Sequence, residues 1–466
     1  MAADGGADRV GGTGRGCPPG REVELSGWGR FPRRRSSVHA ISAPAEVASC
    51  LSGDGPVIAR GNGRSYGDAA IGAGSTLSMI GLDRLIAFDP AAGRLTAEAG
   101  ILLRDIIDAF LPRGWFPPVV PGTRLITLGG AIASNVHGKN HHGHGGFARC
   151  LDEFTLMTPR DGVLKVSRTS YPDLFAATIG GMGLTGIILD ATLRLRPVET
   201  GWVSQKTVAT SDLAETMRVL REEEGATYSV AWIDCLARGS EVGRSLVYLG
   251  EHATRDELAA ARGSGEALFP PAKQARLTVP ADAPGFVLNP LSMRLFNELY
   301  YRKGGRRAGK KTLVPWQPYF FPLDGVGDWN RIYGRRGFIQ HQCVLPYETA
   351  GTALPEIMGR VVRRGDASFL AVLKAMGACE GDISFAMPGF TLTLDFPVRD
   401  GLLDFLDELD KIVVSAGGRL YLAKDARQSR ATFEAGYPNL DRFRTLRHAS
   451  GAALRYRSFL SERLGL

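Results

Sequence analysis

The sequence predicts an α+β protein with two domains, and three features support this prediction. The chain has 466 residues, 44% of them hydrophobic, which is enough for more than one core. Most clusters of its 59 glycines fall between residues 53 and 186, among short predicted strands. After Pro197 the pattern changes to longer strands and helices, as expected of an antiparallel sheet with helices packed on it.

The first part of the chain alternates short strands, glycine turns and short helices. Apolar and alternating runs predict strands at residues 55–60, 76–80, 85–89, 95–99 and 186–196. Apolar residues at helical spacing predict an amphipathic helix over 101–111, which ends before Gly114.

The second part predicts longer elements. Strands are expected at residues 227–236, 245–249, 338–345, 368–376 and 383–398. Helices are expected at residues 211–224, 292–301, 348–364 and 402–416. The third of these should be interrupted near Pro355, because proline lacks the N–H that a helix interior needs.

The segment from Arg419 onward begins with a strand and continues into Arg-rich helices, so by pattern alone it fits either domain. The chain therefore divides into a disordered Gly-rich leader, two domains and a C-terminal segment, at residues 1–21, 22–200, 201–417 and 418–466. No apolar run reaches the ~18–20 residues of a membrane-spanning helix, and the N-terminus lacks the apolar core of a signal peptide.

The cysteines and the net charge suggest a reducing compartment and an anionic partner. The six cysteines, at positions 17, 50, 150, 235, 343 and 379, form no C-x-x-C pair. We therefore expect buried free thiols in a reducing compartment, without a disulfide framework or a zinc site. The net charge of +8 fits a phosphorylated substrate, a membrane face or a nucleic acid, and does not choose among them.

A basic run, RKGGRRAGKK, occupies residues 302–311 and contains no acidic residue. One interpretation is a solvated mobile loop. The alternative is a flexible lid, or a contact with lipid headgroups and phosphate. Neighbouring aromatic residues, Trp316, Tyr319, Phe320 and Phe321, favour the alternative.

Three glycine turns are the most informative feature of the sequence. They are RGNGRSYGDAA at 60–70, PGTRLITLGGAIASNVH at 121–137 and GGMGLTG at 180–186. Backbone N–H groups in such turns can converge on a diphosphate. A Rossmann turn is excluded, because the glycines at 61, 63 and 67 are spaced one residue too far and a turn and strand follow where a helix is needed.

Four of the eight histidines, His137, His141, His142 and His144, lie in HGKNHHGHGG. A metal site is one interpretation, since histidine is a common metal ligand. The spacing matches no familiar metal motif, so we predict no metal and expect a cationic active-site loop. His137 and Lys139 would then offer donors to an anionic or hydroxylated substrate.

Four segments occur here in the order and at the spacing seen in one enzyme family. They are RGNGRSYGDAA, VPGTRLITLGGAIASNVHGKNHH, GGMGLTGII and GGRLYLAKD. In these motifs the chain resembles the decaprenylphosphoryl-β-D-ribose 2'-oxidases, from about Leu25 to the C-terminus. The resemblance implies a flavoprotein of the vanillyl-alcohol-oxidase (p-cresol methylhydroxylase) fold. It also implies that residues 22–200 bind FAD, that 201–417 bind the substrate, and that the C-terminal segment returns to the FAD domain.

The resemblance also implies roles for individual residues. The cofactor would be held by Arg60, Gly61, Asn62, Gly63, Arg64, Ser65, Tyr66, Gly122, Thr123, Gly129, Gly130, Ala131, Ser134, Asn135, His137, Gly138, Tyr421 and either Ile187 or Ile188. The substrate would be contacted by Lys139, Gln340, Gln342, Lys374, Thr391 and Thr393. The two glutamines lie two residues apart, so both face one side of a strand.

Three positions distinguish this chain from related oxidases. Sugar-lactone and alditol oxidases carry a flavin-bound histidine where this chain has Arg64, so we predict that FAD is held non-covalently. Thr393 stands where actinobacterial members of the family carry a cysteine. Met376 stands where an aromatic residue is expected, which predicts a somewhat different pocket.

Flavin oxidation of a secondary alcohol needs an acceptor for the hydroxyl proton. Lys424, in the segment YLAKD, is our first candidate, because its small and apolar neighbours would desolvate it and lower its pKa. The alternative is a surface lysine paired with Asp425. Tyr66 and His137 are the next candidates for the proton path, and Lys139 and Lys374 suit a substrate phosphate.

The sequence thus predicts an FAD-dependent enzyme that oxidises the 2-hydroxyl of a polyprenylphosphoryl-β-D-ribose to the 2-keto sugar. A short-chain dehydrogenase/reductase partner would complete the epimerisation to the arabinose. The alternative is a soluble FAD-dependent oxidase of sugars, alditols or aldonolactones. A non-catalytic nucleic-acid or metal-binding protein is disfavoured by the glycine turns. The expected location is cytoplasmic, with peripheral contact at the inner membrane.

Overall fold

The computed structural model describes residues 16–275, 277–284, 289–365 and 370–466. Most of the predicted leader, residues 1–15, lies outside the described residues. Residues 16–20 are described, and within them Cys17 forms a disulfide with Cys50. The expectation of free thiols is therefore wrong for these two cysteines, because the fold brings together residues that are 33 positions apart. The other four cysteines are free, as predicted.

The first part of the chain builds two sheets with short helices between their strands. Its strands are β1 (Arg21–Ser26), β2 (Arg33–Ala40), β3 (Val57–Arg60), β4 (Ser75–Ser78), β5 (Leu85–Asp89), β6 (Arg94–Glu98), β7 (Trp115–Phe116), β8 (Leu151–Thr158), β9 (Gly162–Ser167), β10 (Ile187–Arg194) and β11 (Arg196–Pro197). Its helices are α1 (Pro44–Ser52), α2 (Leu103–Phe110), α3 (Leu128–Ala133), α4 (His141–His144) and α5 (Pro172–Thr178).

Two of the three glycine turns adjoin strands of these two sheets. The first sheet has the order β1-β2-β4-β3, in which β4 runs parallel to β2 and β3. The second has the order β5-β6-β10-β8-β9 and is antiparallel. The short strands β7 and β11 pair separately. The first glycine turn follows β3 directly, and the third leads into β10.

The second part of the chain forms one large antiparallel sheet. Its strands are β12 (Trp202–Thr210), β13 (Tyr228–Ile233), β14 (Ser245–His252), β15 (Leu277–Thr278), β16 (Lys311–Pro315), β17 (Val326–Gly327), β18 (Phe338–Leu345), β19 (Ala371–Met376), β20 (Gly389–Pro397) and β21 (Arg419–Leu420). Its helices are α6 (Leu213–Glu222), α7 (Arg255–Arg262), α8 (Pro290–Gly305), α9 (Trp316–Phe320), α10 (Tyr347–Arg364) and α11 (Leu402–Ser415).

The large sheet has eight strands in the order β16-β12-β14-β13-β19-β20-β18-β21. Helices α6, α10 and α11 cover it, and their apolar residues join those of the central strands in the largest hydrophobic core. The predicted α+β class with antiparallel sheets is thereby confirmed. Strands β15 and β17 form a separate parallel pair.

Three predicted elements differ from the structure. Helix α10 continues through Pro355, because Leu354, Ile357 and Met358 are fully buried on its inner face and their packing outweighs one lost hydrogen bond. The strand predicted over 383–398 is only Gly389–Pro397. The basic run begins inside α8, which extends to Gly305.

The C-terminal segment packs against the first part of the chain. Its helices are α12 (Arg430–Gly436), α13 (Leu440–Ala449), α14 (Ala452–Arg455) and α15 (Phe459–Leu464). Arg457 N–H donates to the Val57 carbonyl at 3.1 Å, and the Tyr456 hydroxyl donates to the Met157 carbonyl at 2.8 Å. The division at residues 22–200, 201–417 and 418–466 stays a prediction. No helix among the described residues is long and apolar enough to cross a membrane.

Candidate active site

A cavity of about 540 Å³ lies where the three glycine turns face the large sheet. Most of the predicted site residues line it. They are Gly61, Asn62, Gly63, Arg64, Ser65, Tyr66, Gly122, Thr123, Gly129, Gly130, Ser134, His137, Gly138, Lys139, Gln340, Gln342, Lys374, Thr393, Tyr421 and Lys424. Residues predicted from segments far apart in the chain therefore share one site.

Four predicted cofactor residues, Arg60, Ala131, Asn135 and Ile187, are not part of the cavity wall. The Arg60 guanidinium points away and donates to the carbonyls of Ala70 and Ser26. Ala131 and Ile187 are fully buried in hydrophobic cores. Because successive strand residues face opposite sides, Ile188 lines the cavity where Ile187 does not.

Asn135 and Thr391 also lie behind the wall. The Asn135 amide nitrogen donates to the Glu380 carbonyl and the Ser384 hydroxyl, both at 3.0 Å. Its φ of 38° is left-handed, which asparagine tolerates better than most residues. The Thr391 hydroxyl accepts from Gln342 at 3.2 Å and thereby supports a residue that does reach the cavity.

The first glycine turn presents free backbone donors to the cavity. Among the described residues, the N–H groups of residues 61–65 find no protein acceptor. Gly63 has a φ of 62°, the left-handed conformation that lets consecutive N–H groups converge. The Asn62 amide donates to the Leu125 carbonyl at 2.8 Å and so ties this turn to the second one.

The second and third turns leave room where side chains would otherwise stand. Thr127 caps α3 by accepting from the Gly130 N–H at 3.2 Å. Gly122 lines the cavity, and a Cβ there would meet no protein atom within 4 Å. In the third turn, Met182 and Gly183 both have positive φ and line the cavity.

Arg64 stacks on an aromatic residue that the sequence did not single out. Its guanidinium carbon lies 4.0 Å from the centroid of the Trp28 ring, a cation–π geometry. Burial lowers the pKa of Arg64, partly offset by the nearby carboxylates of Asp324 and Asp328. Arg64 Nε is buried and has no hydrogen-bond partner among the described residues, so it is available to an anionic ligand.

Lys424 faces Tyr66 across the cavity. Its Nζ lies 3.6 Å from the centroid of the Tyr66 ring. Burial lowers the pKa of Lys424 to about 7, with Lys374 lowering it further and Asp395 opposing the shift. Asp425 does not pair with it, since that carboxylate binds Arg463 at 2.9 Å. The alternative of a surface ion pair between Lys424 and Asp425 is therefore excluded.

A buried polar chain leads from Tyr66 into the large sheet. Gln340 Nε2 donates to the Tyr66 hydroxyl at 3.4 Å and to Asp395 Oδ1 at 2.6 Å. The Tyr333 hydroxyl donates to Asp395 Oδ2 at 2.9 Å. Burial raises the pKa of Asp395 to about 6 against these hydrogen bonds and the positive charge of Lys424. Burial also raises the pKa of Tyr66 well above its usual value, so Tyr66 stays protonated.

His137 is a neutral residue on the cavity wall. Burial lowers its pKa well below 6.5, and the positive charges of Lys374, His141 and Lys424 add to the shift. The Gln342 amide nitrogen lies 3.0 Å from His137 Nε2, so this nitrogen accepts and the proton sits on Nδ1. Nδ1 has no partner among the described residues.

Two further lysines complete a cationic wall. Burial lowers the pKa of Lys139 to about 7 and that of Lys374 to about 8. Lys139 Nζ donates to the Tyr319 carbonyl and lies 4.3 Å from the centroid of that ring. Uncompensated cations are costly to desolvate, so their convergence with Lys424 suits an anionic ligand.

Two of the other loop histidines, His141 and His142, support the loop from outside the cavity. His141 Nδ1 accepts from the Gly377 N–H at 3.1 Å, and His142 Nε2 bonds the Ala226 carbonyl at 2.8 Å. They connect the loop to the large sheet.

The far end of the cavity is aromatic, and sequence reasoning missed it. It is lined by Trp232, Tyr248, Phe296 and Tyr300. The Trp232 and Tyr300 rings lie 4.6 Å apart, and the two tyrosine hydroxyls are hydrogen-bonded at 2.9 Å. These residues come from β13, β14 and α8, and no local motif links them.

Asp395 is the polar residue whose omission matters most. A signal for it existed, since Thr391, Thr393 and Asp395 alternate along one strand and share a face. Asp395 stands opposite Gln340, and Thr393 opposite Gln342, in the β18–β20 register. The pairing that makes Asp395 relevant is between strands, so the sequence alone did not reveal it.

Comparison with known proteins fits this geometry. A family model described as "FAD binding domain" matches residues 42–167. A decaprenylphosphoryl-β-D-ribose oxidase from Mycolicibacterium smegmatis is 36% identical over 458 residues, 96% of this chain and 98% of that protein. This chain belongs to the decaprenylphosphoryl-β-D-ribose oxidase family. The predicted resemblance to this family is thereby confirmed.

Other relatives of this decaprenylphosphoryl-β-D-ribose oxidase family member differ in coverage. An uncharacterized protein in the mprA 5' region of Streptomyces coelicolor is 37% identical over 379 residues, 78% of this chain and all of that protein. An L-gulonolactone oxidase from Mus musculus is 32% identical over 137 residues, 29% of this chain and 31% of that protein. The chain is an FAD-dependent oxidoreductase, as predicted.

The cavity of this oxidase-family chain fits FAD. The unsatisfied N–H groups of the first turn suit its diphosphate. The open space at Gly122 and the small residues that follow leave room for a flat ring system. His137 and Tyr421, whose ring centroids lie 5.1 Å apart, border the same space.

Proposed function

We propose that this enzyme oxidises the 2-hydroxyl of a polyprenylphosphoryl-β-D-ribose to the 2-keto sugar, the first half of an epimerisation to the arabinose. The observation that carries the proposal is one cavity lined by three kinds of residue. Glycine turns suit the cofactor, three lysines suit a phosphate and a hydroxyl, and aromatic residues suit a prenyl tail. The name of the relative that covers nearly the whole chain supports the same substrate class.

The proposed roles follow from the contacts in the cavity. FAD, when bound, would supply the acceptor for the hydride at C2 of the sugar. Neutral Lys424 takes the proton of the 2-hydroxyl, since burial brings its pKa to about 7. Tyr66 and His137 border the same region, and the buried Tyr66–Gln340 contact fixes the tyrosine hydroxyl.

Positions farther from the reacting carbon hold the rest of the substrate. Lys139 and Lys374 bind the phosphate, because both are partly desolvated cations on the cavity wall. Gln340, Gln342 and Thr393 orient the sugar, with Thr391 holding Gln342 from behind. Thr393 brings a hydroxyl in place of a thiol, so this wall is polar.

We also propose that FAD is held non-covalently. Arg64 cannot form the bond that a histidine makes to flavin, and its guanidinium is already stacked on Trp28. The N–H groups of residues 61–65 then hold the diphosphate without a covalent link.

The proposed partners are a short-chain dehydrogenase/reductase that consumes the keto product, and a membrane that holds the lipid substrate. The location that we predict is the cytoplasmic face of the inner membrane, with peripheral contact. The Cys17–Cys50 disulfide argues against a cytoplasmic location, because disulfides persist in oxidising compartments.

The test is anaerobic flavin reduction with a panel of substrates, followed by acid precipitation of the protein. We expect a prenylphosphoryl ribose to bleach the flavin absorbance, and xylitol and L-gulonolactone to leave it unchanged. Acid should then release the flavin into the supernatant. Bleaching by xylitol or gulonolactone alone would instead support a soluble sugar or lactone oxidase. Flavin that stays on the denatured chain would refute the non-covalent proposal.

A further inference from the structure

We infer that the exposed face of α8 docks on an anionic lipid bilayer and opens the aromatic end of the cavity toward a prenyl tail held there. The inference rests on the proposed function, because it assigns the lipid part of that substrate a point of entry. It combines the apolar surface of α8 with the basic run at residues 302–311, which begins at the end of the same helix.

Helix α8 carries a continuous apolar stripe on its outer side. Leu291, Leu295 and Leu299 follow one another at intervals of four residues and therefore share a face. Their exposed fractions are 78%, 62% and 60%. Large apolar side chains on a soluble surface normally stand singly, so three in a row indicate a contact surface.

The opposite face of α8 is fixed to the protein. Met293 and Asn297 are buried there, and the Asn297 amide donates to Asp234 Oδ1 at 2.7 Å. The Tyr301 hydroxyl donates to the Thr210 carbonyl at 3.0 Å. The helix is therefore anchored on the large sheet with its leucines directed outward.

The apolar stripe continues into positive charge at the end of the helix. Lys303 stands four residues after Leu299, on the same face. The exposed cations of this region are Arg302, Lys303, Arg306, Arg307, Lys310 and Lys311. Apolar side chains combined with clustered cations are typical of helices that lie in the interface of an anionic membrane. This charge complementarity is what selects an anionic bilayer as the partner.

The same helix also forms part of the cavity wall. Phe296 and Tyr300, next to Leu295 and Leu299 in the chain, line the cavity with Trp232. Their exposed fractions are 48% and 38%, so both rings are accessible to solvent. Neighbouring residues of α8 thus belong to the outer stripe and to the cavity wall. In this inference a prenyl tail passes along the helix from the bilayer to the aromatic end of the cavity.

The experiment is co-sedimentation of the FAD-loaded full-length protein with vesicles of phosphatidylglycerol or of phosphatidylcholine. We expect binding to phosphatidylglycerol, weakened by salt, and much weaker binding to phosphatidylcholine. The double variant Leu295→Gln/Leu299→Gln should bind about 100-fold more weakly, at about tenfold per leucine. Leu454→Gln is the matched control, because Leu454 is 81% exposed on α14 and lines no part of the cavity.

Two outcomes would overturn the inference. One is a double variant that binds the anionic vesicles as tightly as the wild type. The other is a wild-type dimer that the same variant dissociates, with no vesicle binding by either protein, since the stripe would then join two copies of this chain. Flavin content checks that each variant is folded. A protein that binds vesicles but whose flavin no prenylphosphoryl ribose reduces would refute the proposed function while leaving the docking surface intact.

Discussion

Three lysines with lowered pKa values face a single cavity, and this is costly for a protein to arrange. Lys139, Lys374 and Lys424 each lose hydration on burial, and Lys374 further lowers the pKa of both of the others. Asp395 is the carboxylate that opposes this effect at Lys424. Clusters of this kind usually mark functional sites, because a bound ligand supplies the missing negative charge.

We predict that the rate of flavin reduction at saturating substrate rises with pH and levels off above about 7. The reactive form of Lys424 is the neutral amine, whose fraction increases tenfold per pH unit below its pKa of about 7. Lys424→Met should remove this pH dependence and slow reduction by about 10²–10⁴-fold, with FAD still bound. The measurement is stopped-flow absorbance from pH 5.5 to 9.

Lys374 provides the control for the sign of this effect. Its positive charge lowers the pKa of Lys424, so Lys374→Met should move the pH profile to higher pH and raise the KM. A profile that is flat in the wild type, or that moves to lower pH in Lys374→Met, would contradict the role given to Lys424.

At the residue scale, the sequence predicted the site residues that lie in motifs. It missed the residues whose role depends on contacts with distant segments of the chain. Lys424 and Arg64 were found because they lie in recognisable segments, and both line the cavity. Trp28 was missed because its contact with Arg64 joins β1's end to the first turn. The sequence did not decide between Ile187 and Ile188, because which face of a strand borders a cavity depends on its partner strands, and the structure places Ile188 on the cavity wall.

At the scale of elements, one arginine joins the two turns that carry the reactive residues. Arg463, on α15, binds Asp68 in the first turn and Asp425 beside Lys424, both at 2.9 Å. The turns also touch directly, since a Cβ at Gly67 would lie 2.0 Å from the Asp425 carbonyl oxygen. Helix α15 therefore fixes the position of Tyr66 relative to Lys424 from outside the cavity.

We predict that Arg463→Gln lowers both stability and turnover. It leaves two buried carboxylates without their cation, a loss of about 3 kcal/mol or more. The misplaced turns should lower kcat more than they raise the KM, and Arg463→Lys should restore part of kcat. The measurements are thermal unfolding and steady-state kinetics of the FAD-loaded protein.

The matched control is Arg457→Gln, which breaks the exposed ion pair with Glu462. Such surface pairs contribute about 0–1 kcal/mol, so neither unfolding nor kcat should change much. An Arg463→Gln enzyme with normal kcat would show that the contacts of Arg463 with Asp68 and Asp425 stabilise the fold without positioning the active-site residues.

Element prediction succeeded where the local pattern decides and failed where packing does. The strands predicted at 85–89 and 338–345 have the same bounds in the structure. Helix α10 was expected to break at Pro355, but the buried residues around that proline hold it together. The predicted strand over 383–398 was too long, because the apolar residues before Gly389 belong to a different hydrophobic core.

At the scale of the whole molecule, the glycine turns by themselves predicted a diphosphate site, and the resemblance of four segments to one enzyme family predicted the flavoprotein. The large sheet was predicted from its strand patterns. The sequence did not predict how distant segments meet. The aromatic end of the cavity needs β13, β14 and α8 together. The N-terminal segment needs Cys17 to reach α1 at Cys50.

We predict that reduction of the Cys17–Cys50 disulfide destabilises the protein without affecting the active site. The cross-link spans 33 residues, which corresponds to about 4 kcal/mol of chain entropy in the unfolded state. Dithiothreitol should therefore lower the melting temperature of the wild type by a few degrees, and should leave Cys17→Ser unchanged. Neither protein should lose FAD, because both cysteines lie outside the cavity wall. Equal melting temperatures for reduced and oxidised wild type would refute the prediction.

The redox state of Cys17 and Cys50 in living cells indicates the side of the membrane on which the enzyme works. A cytoplasmic enzyme should keep Cys17 and Cys50 as thiols in growing cells, since glutathione and thioredoxin reduce such bonds. Acid-quenched cells treated with a bulky maleimide separate the two states by gel mobility, with Cys17→Ser as the reference for one lost thiol. An oxidised pair in living cells would contradict the cytoplasmic location. It would place the docking face of α8 against the opposite leaflet, where the same cations still require anionic lipid.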